Sequence, residues 1–441
     1  MNLDKSEVSY SRNMLNHDKE IICQRINIKT MNAHSRYLGL PMKFGRSKKE
    51  VFSFVQKRVW KKIKGWKEKC LSYVGKETLI KAVALAIPNY IMSCYKLPEG
   101  CCDAVEGMLA KFWWGSDEYK RKIHWMRWGR LGETKKRGGL GFRSFTDFNK
   151  AFLWKQYWRL MSDNNSLMSS IFKSRYFPRT SISKATVGFQ PSYAWRSLMK
   201  ARDLVESDAQ WVIGNGRTVQ IFKDNCIPGT QSPPIQRAEG TIDEDAVVAD
   251  LIFHDTRLWD IERIMASFNS FIVKRILNIP ISFRLPDDKV TWKWEKSGEF
   301  SVRSGHHLLC ENKSKEVVES SSVRGTDIWK QIWNFNGPRS MHNFLWRLAS
   351  NILPTRCNLS KKGISLDQTC PLCNYGMEDS NHLFLHCPAA KAVWFSSPLG
   401  IHIPPNSVCR EWMEHWLRKD DPLAVQVFDI TLWRLCREGT N

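Results

Sequence analysis

The reading of this chain turns on residues 370–387, Cys370-Pro-Leu-Cys373-Asn-Tyr-Gly-Met-Glu-Asp-Ser-Asn-His382-Leu-Phe-Leu-His386-Cys387. Two cysteines with two residues between them form a tight turn. It aims two thiolates at one point and leaves backbone amides to stabilise the sulfur charge. Eight residues separate Cys373 from His382, and four separate His382 from Cys387. Sulfur and imidazole donors in this number suit tetrahedral zinc. Four protein ligands leave no open position, so the spacing predicts a structural site. The second pair is expected on a short helix beginning near Asp379 or Ser380. There the fourth ligand has two candidates. His386 lies four residues after His382, on the same helical face. Cys387 lies five after it and needs a helix end or a bend. Helix geometry favours His386; thiolate affinity favours Cys387.

Composition sets the class around this stretch. The chain has 441 residues, with 67 Lys and Arg against 44 Asp and Glu, a formal net charge of +23. Such an excess points to polyanionic partners, nucleic acid first and an anionic membrane surface second. Hydrophobic residues make up 42%, enough to bury real cores, which excludes a globally disordered chain. The start, MNLDKSEVSYSRN, has no apolar signal-peptide region. The best apolar run, Ala82 to Ile87, ends at Pro88 and is too short to span a bilayer. An intracellular protein of nucleus or cytoplasm, without a membrane segment, is expected. The 13 cysteines are scattered. In a reducing compartment Cys23, Cys70, Cys94, Cys101, Cys102, Cys226 and Cys310 are expected to pack as small hydrophobes.

Five segments follow from the pattern, and the fold class is α+β, mainly helical. Residues 1–36 are polar, with a short strand expected at Glu7 to Tyr10. Residues 37–160 are helical and basic. Within Val51 to Trp66, Val51, Phe54, Val55, Val59 and Ile63 fall near helical spacing. Lys57, Arg58, Lys61, Lys62 and Lys64 fill the gaps, and Lys67 and Lys69 follow. Further helices are expected at Lys76 to Ile87, Asp103 to Trp114 and Phe145 to Leu160. Lys43 to Lys81 holds 13 basic and 3 acidic residues, and Lys111 to Arg143 holds 10 and 3. That density exceeds what solubility asks for. Phosphate contacts need cations without base-specific geometry, so the lysines from Lys57 to Lys69 are candidate nucleic-acid contacts.

Residues 161–299 are less regular. WVIGNGRTVQIFKDN (211–225) reads as two short strands around Gly214-Asn215-Gly216. VTWKWEKSGEFSV (290–302) also alternates, with Ser297-Gly298 as its turn. Residues 300–396 form a last compact unit. It should contain a helix near Val302 to Cys310, a polar loop at 311–324 and an aromatic helix from Ile328 to Ser350. Trp329, Trp333, Phe344 and Trp346 are expected in its core, and Trp60, Trp66, Trp113, Trp114, Trp125 and Trp128 in the core of the basic region. The tail, 397–441, should be helical in part.

Several strings, in series, carry a family resemblance. They are Tyr37-Leu-Gly-Leu-Pro41; Gly65-Trp-Lys67, Leu71-Ser72 and Leu79-Ile-Lys81 with Pro88 and Tyr90; and Phe112-Trp-Trp-Gly115, His124-Trp125, Trp128 and Gly138-Gly-Leu-Gly141. Trp211-Val-Ile-Gly214 with Asp224, Gly298-Glu-Phe-Ser-Val302, Phe344-Leu-Trp-Arg347, Leu353-Pro354 and the cysteine cluster continue the order. The chain resembles the C-terminal half of the polyprotein of plant LINE-type non-LTR retrotransposons, although Cys226 stands where that family usually shows Trp. The resemblance implies that 1–36 is a remnant of the palm end, 37–160 a thumb-like region gripping a template–primer duplex, 161–299 a connector, and 300–396 a reverse-transcriptase zinc-binding domain. It also favours Cys387 as the fourth ligand, with His386 the alternative.

Reverse transcriptases of this kind use an aromatic-Ala-Asp-Asp turn, whose paired carboxylates hold two metal ions. Asp287-Asp288 follows Pro286 and Asp420-Asp421 precedes Pro422, both without that lead-in or apolar strand flanks. Both read as solvated turns. The resemblance thus sets the chain just downstream of the active site, and no carboxylate set for ribonuclease H chemistry stands out. The expectation is a non-catalytic fragment, without catalytic residues or a small-molecule substrate. It should bind RNA or RNA–DNA duplex and carry one structural zinc. Two rivals stand beside it. One is a part of an RNA-directed DNA polymerase whose palm lies upstream or in another chain. The other is a zinc-dependent protein-interaction adaptor in which the basic segments are incidental.

Overall fold

The computed structural model describes residues 6–11, 13–30, 36–41, 44–45, 47–67, 71–116, 122–163, 165–228, 230, 234, 242–253, 255–318 and 326–439. In chain order the principal elements are β1 (Glu7–Val8), α1 (Asn16–Ile26), β2 (Lys29–Thr30), β3 (Arg36–Tyr37), β4 (Leu40–Pro41), α2 (Ser53–Lys67), α3 (Tyr73–Leu79), α4 (Glu99–Trp114), α5 (Phe145–Ser162), β5 (Ala209–Val212), β6 (Lys289–Trp292), α6 (Val302–Val318), α7 (Thr326–Asn334), α8 (Arg339–Ala349), α9 (Arg356–Lys361), α10 (Pro388–Ser396), α11 (Cys409–Leu417) and α12 (Pro422–Gly439). The fold is α+β and mainly helical. Among the described residues the strands form two-stranded pairs, β1 with β2 in parallel and β3–β4 and β5–β6 antiparallel. Among these residues no helix is long and apolar enough to cross a membrane.

Two compact units share the chain. One gathers Met1–Arg58, Tyr90–Cys102 and Phe152–Glu299, the other Val59–Asn89, Asp103–Ala151 and Phe300–Asn441. Residues 37–160 contribute to both units, whereas 161–299 falls within the first and 300–396 within the second.

In the first unit a core forms around Ile213, Val219, Ile221, Cys226, Leu251 and Phe268. Strand β5 does not form the expected hairpin across Gly214-Asn215-Gly216. It pairs instead with β6, Trp211 opposite Val290. The cause is Asp288, which is half-buried and fully engaged instead of sitting in a solvated turn. Its Oδ1 accepts from the amides of Gly214 and Gly216, both at 2.8 Å. Its Oδ2 accepts from the amide and hydroxyl of Thr218 at 2.9 and 2.8 Å. These bonds take the amides a local hairpin would use, and the chain runs on to Ala246, where Ile221 donates its amide at 3.1 Å. Burial opposes ionisation of Asp288, but the amides of Thr218 and Gly214 and the Thr218 hydroxyl outweigh it and hold the carboxyl below its ordinary range.

In the second unit α6 runs to Val318, so residues 311–318, expected as loop, are helical. The single aromatic helix expected from Ile328 to Ser350 is two helices, α7 and α8. They part at Gly337-Pro338, where proline has no amide hydrogen for an α-helical bond. Trp346 is fully buried and donates through Nε1 to Gly138 O at 2.8 Å. Gly138 has φ +83°, and a Cβ there would lie 2.6 Å from the Trp329 ring, so glycine alone fits this seat. Trp113, Trp114 and Trp329 are buried as expected. Trp60, Trp66, Trp125, Trp128 and Trp333 are only partly so. Trp128 stacks on Phe142 at 5.0 Å, and the Lys135 ammonium sits 3.9 Å from the Trp333 ring centroid.

Of the scattered cysteines, Cys101, Cys102 and Cys226 are buried, and Cys23, Cys94 and Cys310 are half-buried. Cys70 lies outside the described residues.

Candidate metal centre

A backbone loop sets the first two donors. Thr369 and Met377 pair across its base, Cys370 donates its amide to Gly376 O at 2.9 Å, and Asn374 donates to Cys370 O at 2.8 Å. Turning the chain so tightly needs left-handed backbone at Asn374 (φ 55°) and Gly376 (φ 77°). The amides of Leu372 and Cys373 point at Cys370 Sγ, and the Tyr375 amide lies 3.4 Å from Cys373 Sγ. Backbone dipoles thus face the positions where sulfur carries negative charge.

A short helical turn sets the second pair. Asp379 Oδ1 accepts the His382 amide at 2.7 Å and so opens the turn. Residues His382–His386 form a π-turn, closed by the Cys387 amide donating to His382 O at 2.7 Å, five residues back. In an α-helix five residues would rotate about 140° away from the starting face, and four only about 40°. The wider π-turn returns Cys387 to the His382 side. His386 is turned elsewhere, its Nε2 3.0 Å from Ser407 O. Pro388 then starts α10 at a first-turn position, where its missing amide hydrogen costs nothing. The Trp394 indole fixes the turn from above by donating to Phe384 O at 2.8 Å.

The result brings together Cys370, Cys373, His382 and Cys387, with one potential ligand atom from each, all within 4.8 Å of one another. Cys370 Sγ and Cys387 Sγ are 4.0 Å apart, and Cys373 Sγ and His382 Nε2 are 3.3 Å apart. A tetrahedral ion with Zn–S bonds near 2.3 Å spaces its sulfurs at about 3.8 Å, so the donor set fits such an ion. Cys370 and Cys387 are fully buried, while Cys373 and His382 keep partial access. Burial pushes the Cys370 thiol up to about 11 despite the two amides facing it. A cation is the natural group to displace that proton. Burial, partly opposed by Asp379, holds His382 below its ordinary value, which favours the neutral imidazole that binds metals.

Helical architecture and a Cys/His cluster that could hold a metal ion mark the general class. Comparison with known proteins narrows it. The family model described as zinc-binding in reverse transcriptase matches residues 300–394. An Arabidopsis thaliana protein named "Putative ribonuclease H protein" is 29% identical over 366 residues, 80% of this chain and 57% of that protein. The chain therefore spans little more than half of that relative's length. An uncharacterized mitochondrial protein of Arabidopsis thaliana is 40% identical over 153 residues, 34% of this chain and 99% of its own. The chain belongs to the retrotransposon-related reverse-transcriptase family, with that family's zinc-binding domain in its C-terminal part.

The candidate nucleic-acid residues lie on α2. Phe54, Val55, Val59 and Ile63 are buried, and Lys57, Arg58, Lys61, Lys62 and Lys64 are exposed between them. Lys67 ends the helix, with only its backbone described, and Lys69 lies outside the described residues. Among the carboxylate pairs, Asp288 closes the loop described above, and Asp421 Oδ1 accepts the amides of Leu423 and Ala424 at the start of α12. The helix start expected near Asp379 or Ser380 is found, with Asp379 as its cap. The π-turn and the fit of Gly376 beneath His382 carry no sequence signal beyond the glycine itself.

Proposed function

We propose that this chain is a non-catalytic, nucleic-acid-binding part of a retrotransposon-related reverse transcriptase, held together in its C-terminal region by one structural zinc. The convergence of Cys370, Cys373, His382 and Cys387 is what carries the zinc assignment. When bound, zinc supplies a fixed cross-link between the cysteine loop and the π-turn, and protein side chains furnish all four donors. The exposed cations of α2 and the net charge of +23 support binding to RNA or RNA–DNA duplex. They present charge to phosphates without any base-reading geometry.

Two measurements on the purified chain test this. Elemental analysis should find one zinc per chain, and Cys370→Ser should lose it. Affinity for an RNA–DNA hybrid should fall steeply as salt rises. Zinc-free folded protein, salt-independent binding, or primer extension by the chain alone with magnesium would each sink the reading.

A further inference from the structure

Beside the metal loop, within the second unit, lies a cavity of about 380 Å³. We propose that it is a nucleotide-binding site, taking one phosphate-bearing nucleotide at a time, as a single-stranded nucleic acid would present it. The inference rests on the nucleic-acid reading above and names a place for it away from α2.

Size decides against a duplex. Pockets of roughly 300–1,000 Å³ hold small ligands, and this one sits at the low end. Charge decides for an anion. Arg130, Lys361 and Arg410 all line the cavity, and all three are exposed. The acidic lining residue among those described is Asp379, whose Oδ1 already accepts the His382 amide at 2.7 Å. Arg130 shares its charge with Glu133 at 2.9 Å, which leaves Lys361 and Arg410 as the freer cations.

Positive ground continues outside. Lys362, next to Lys361, donates to the carbonyls of His124 and Trp125 at 3.2 and 3.4 Å. Lys76 and Lys122 converge at Gly115, where a Cβ would lie 3.5 and 3.8 Å from their ammonium nitrogens. Burial and the cations Lys111 and Lys362 hold His124 below its ordinary value.

Polar walls fix the shape. Asn351, with φ 52°, accepts from the Asn358 amide group and, at 3.2 Å, from the Ser380 hydroxyl. Asn381 accepts the Cys409 amide at 2.9 Å. Asp379, Ser380 and Asn381 immediately precede His382, so the loop that clasps the metal also forms one wall.

The test uses the full, zinc-loaded chain and fluorescence anisotropy. The probes are a labelled 12-nucleotide single-stranded RNA, the matching RNA–DNA hybrid, and AMP as competitor. In Lys361→Gln with Arg410→Gln, single-strand affinity should fall at least tenfold and hybrid affinity less than threefold. The salt slope for the single strand should drop by about 0.7 for each phosphate that the variant no longer neutralises. Arg410 also lies over the Trp329 ring at 5.2 Å, so Lys361→Gln alone, at an exposed helix end, serves as the variant whose folding is not in question. A Lys57→Gln, Lys61→Gln pair on α2 should show the reverse preference. Competition by AMP that vanishes in the cavity variants would identify free nucleotide as the source of the same chemistry. Parent and cavity variants binding the single strand alike would overturn the site and leave the general reading standing. A parent that binds neither strand, hybrid nor AMP overturns both.

Discussion

Gly376 meets two demands at one backbone position. Its φ of +77° is a conformation that costs a side chain about 1–2 kcal/mol, and a Cβ there would approach His382 Cε1 to 3.2 Å. Gly376→Ala should therefore release zinc to a competing chelator about tenfold faster or more, with secondary structure retained. An unchanged release rate would show that the loop tolerates the methyl group. Asp429 makes a different kind of prediction. It is buried in α12, and among the described residues neither carboxylate oxygen has a hydrogen-bond partner. Burial pushes it up to about 8, against roughly 3.9 in an unfolded chain. A carboxyl raised on folding stabilises fully below the unfolded value, and that contribution is lost as pH climbs towards 8. The slope is at most about 1.4 kcal/mol per pH unit. Asp429→Asn should flatten this dependence and melt higher than the parent at pH 8.5, while the two converge near pH 4. Parallel melting curves across that range would refute it.

The π-turn shows what a repeat in the sequence can and cannot convey. Periodicity reads an α-helix, and on an α-helix His386 is the better partner for His382. A hydrogen bond from Cys387 to His382 O, one residue longer than the α-helical one, reverses that preference. His386→Ala should leave one zinc per chain, and Cys387→Ala should abolish it, by elemental analysis of the refolded variants. Equal zinc in both would reopen the ligand set. Helices such as α2 and α4 were legible because their buried faces repeat within the element itself. Strand β5 was not. Its partner lies some eighty residues on, and the local Gly-Asn-Gly signal pointed to the wrong neighbour. The break between α7 and α8 was visible as Gly337-Pro338, yet the aromatic periodicity on either side masked it.

Across the whole chain the charge excess and the ligand spacing were plain from composition and order. The cavity was not, since Arg130, Lys361, Asp379 and Arg410 come from four separate segments that only folding collects. Division into two units, one of them holding the metal centre, carries its own prediction. Chelation should strip hydrogen-exchange protection from residues 300–394 and the helices packed with them. The core around Phe268 should keep its protection, because it owes nothing to the ion. Uniform loss of protection would mean that the units unfold as one.

The clasp at Asp288 has a consequence for synthesis on the ribosome. Its partners, Gly214 to Thr218, emerge at least 70 residues earlier. At 5–20 residues per second that interval lasts about 4–14 s. Through it the loop amides wait without their acceptor and β5 waits without its neighbour, a bare edge on a nascent chain. The first unit thus cannot close until Asp288 and β6 have been made, and for those seconds its strand edge stays open to wrong pairing.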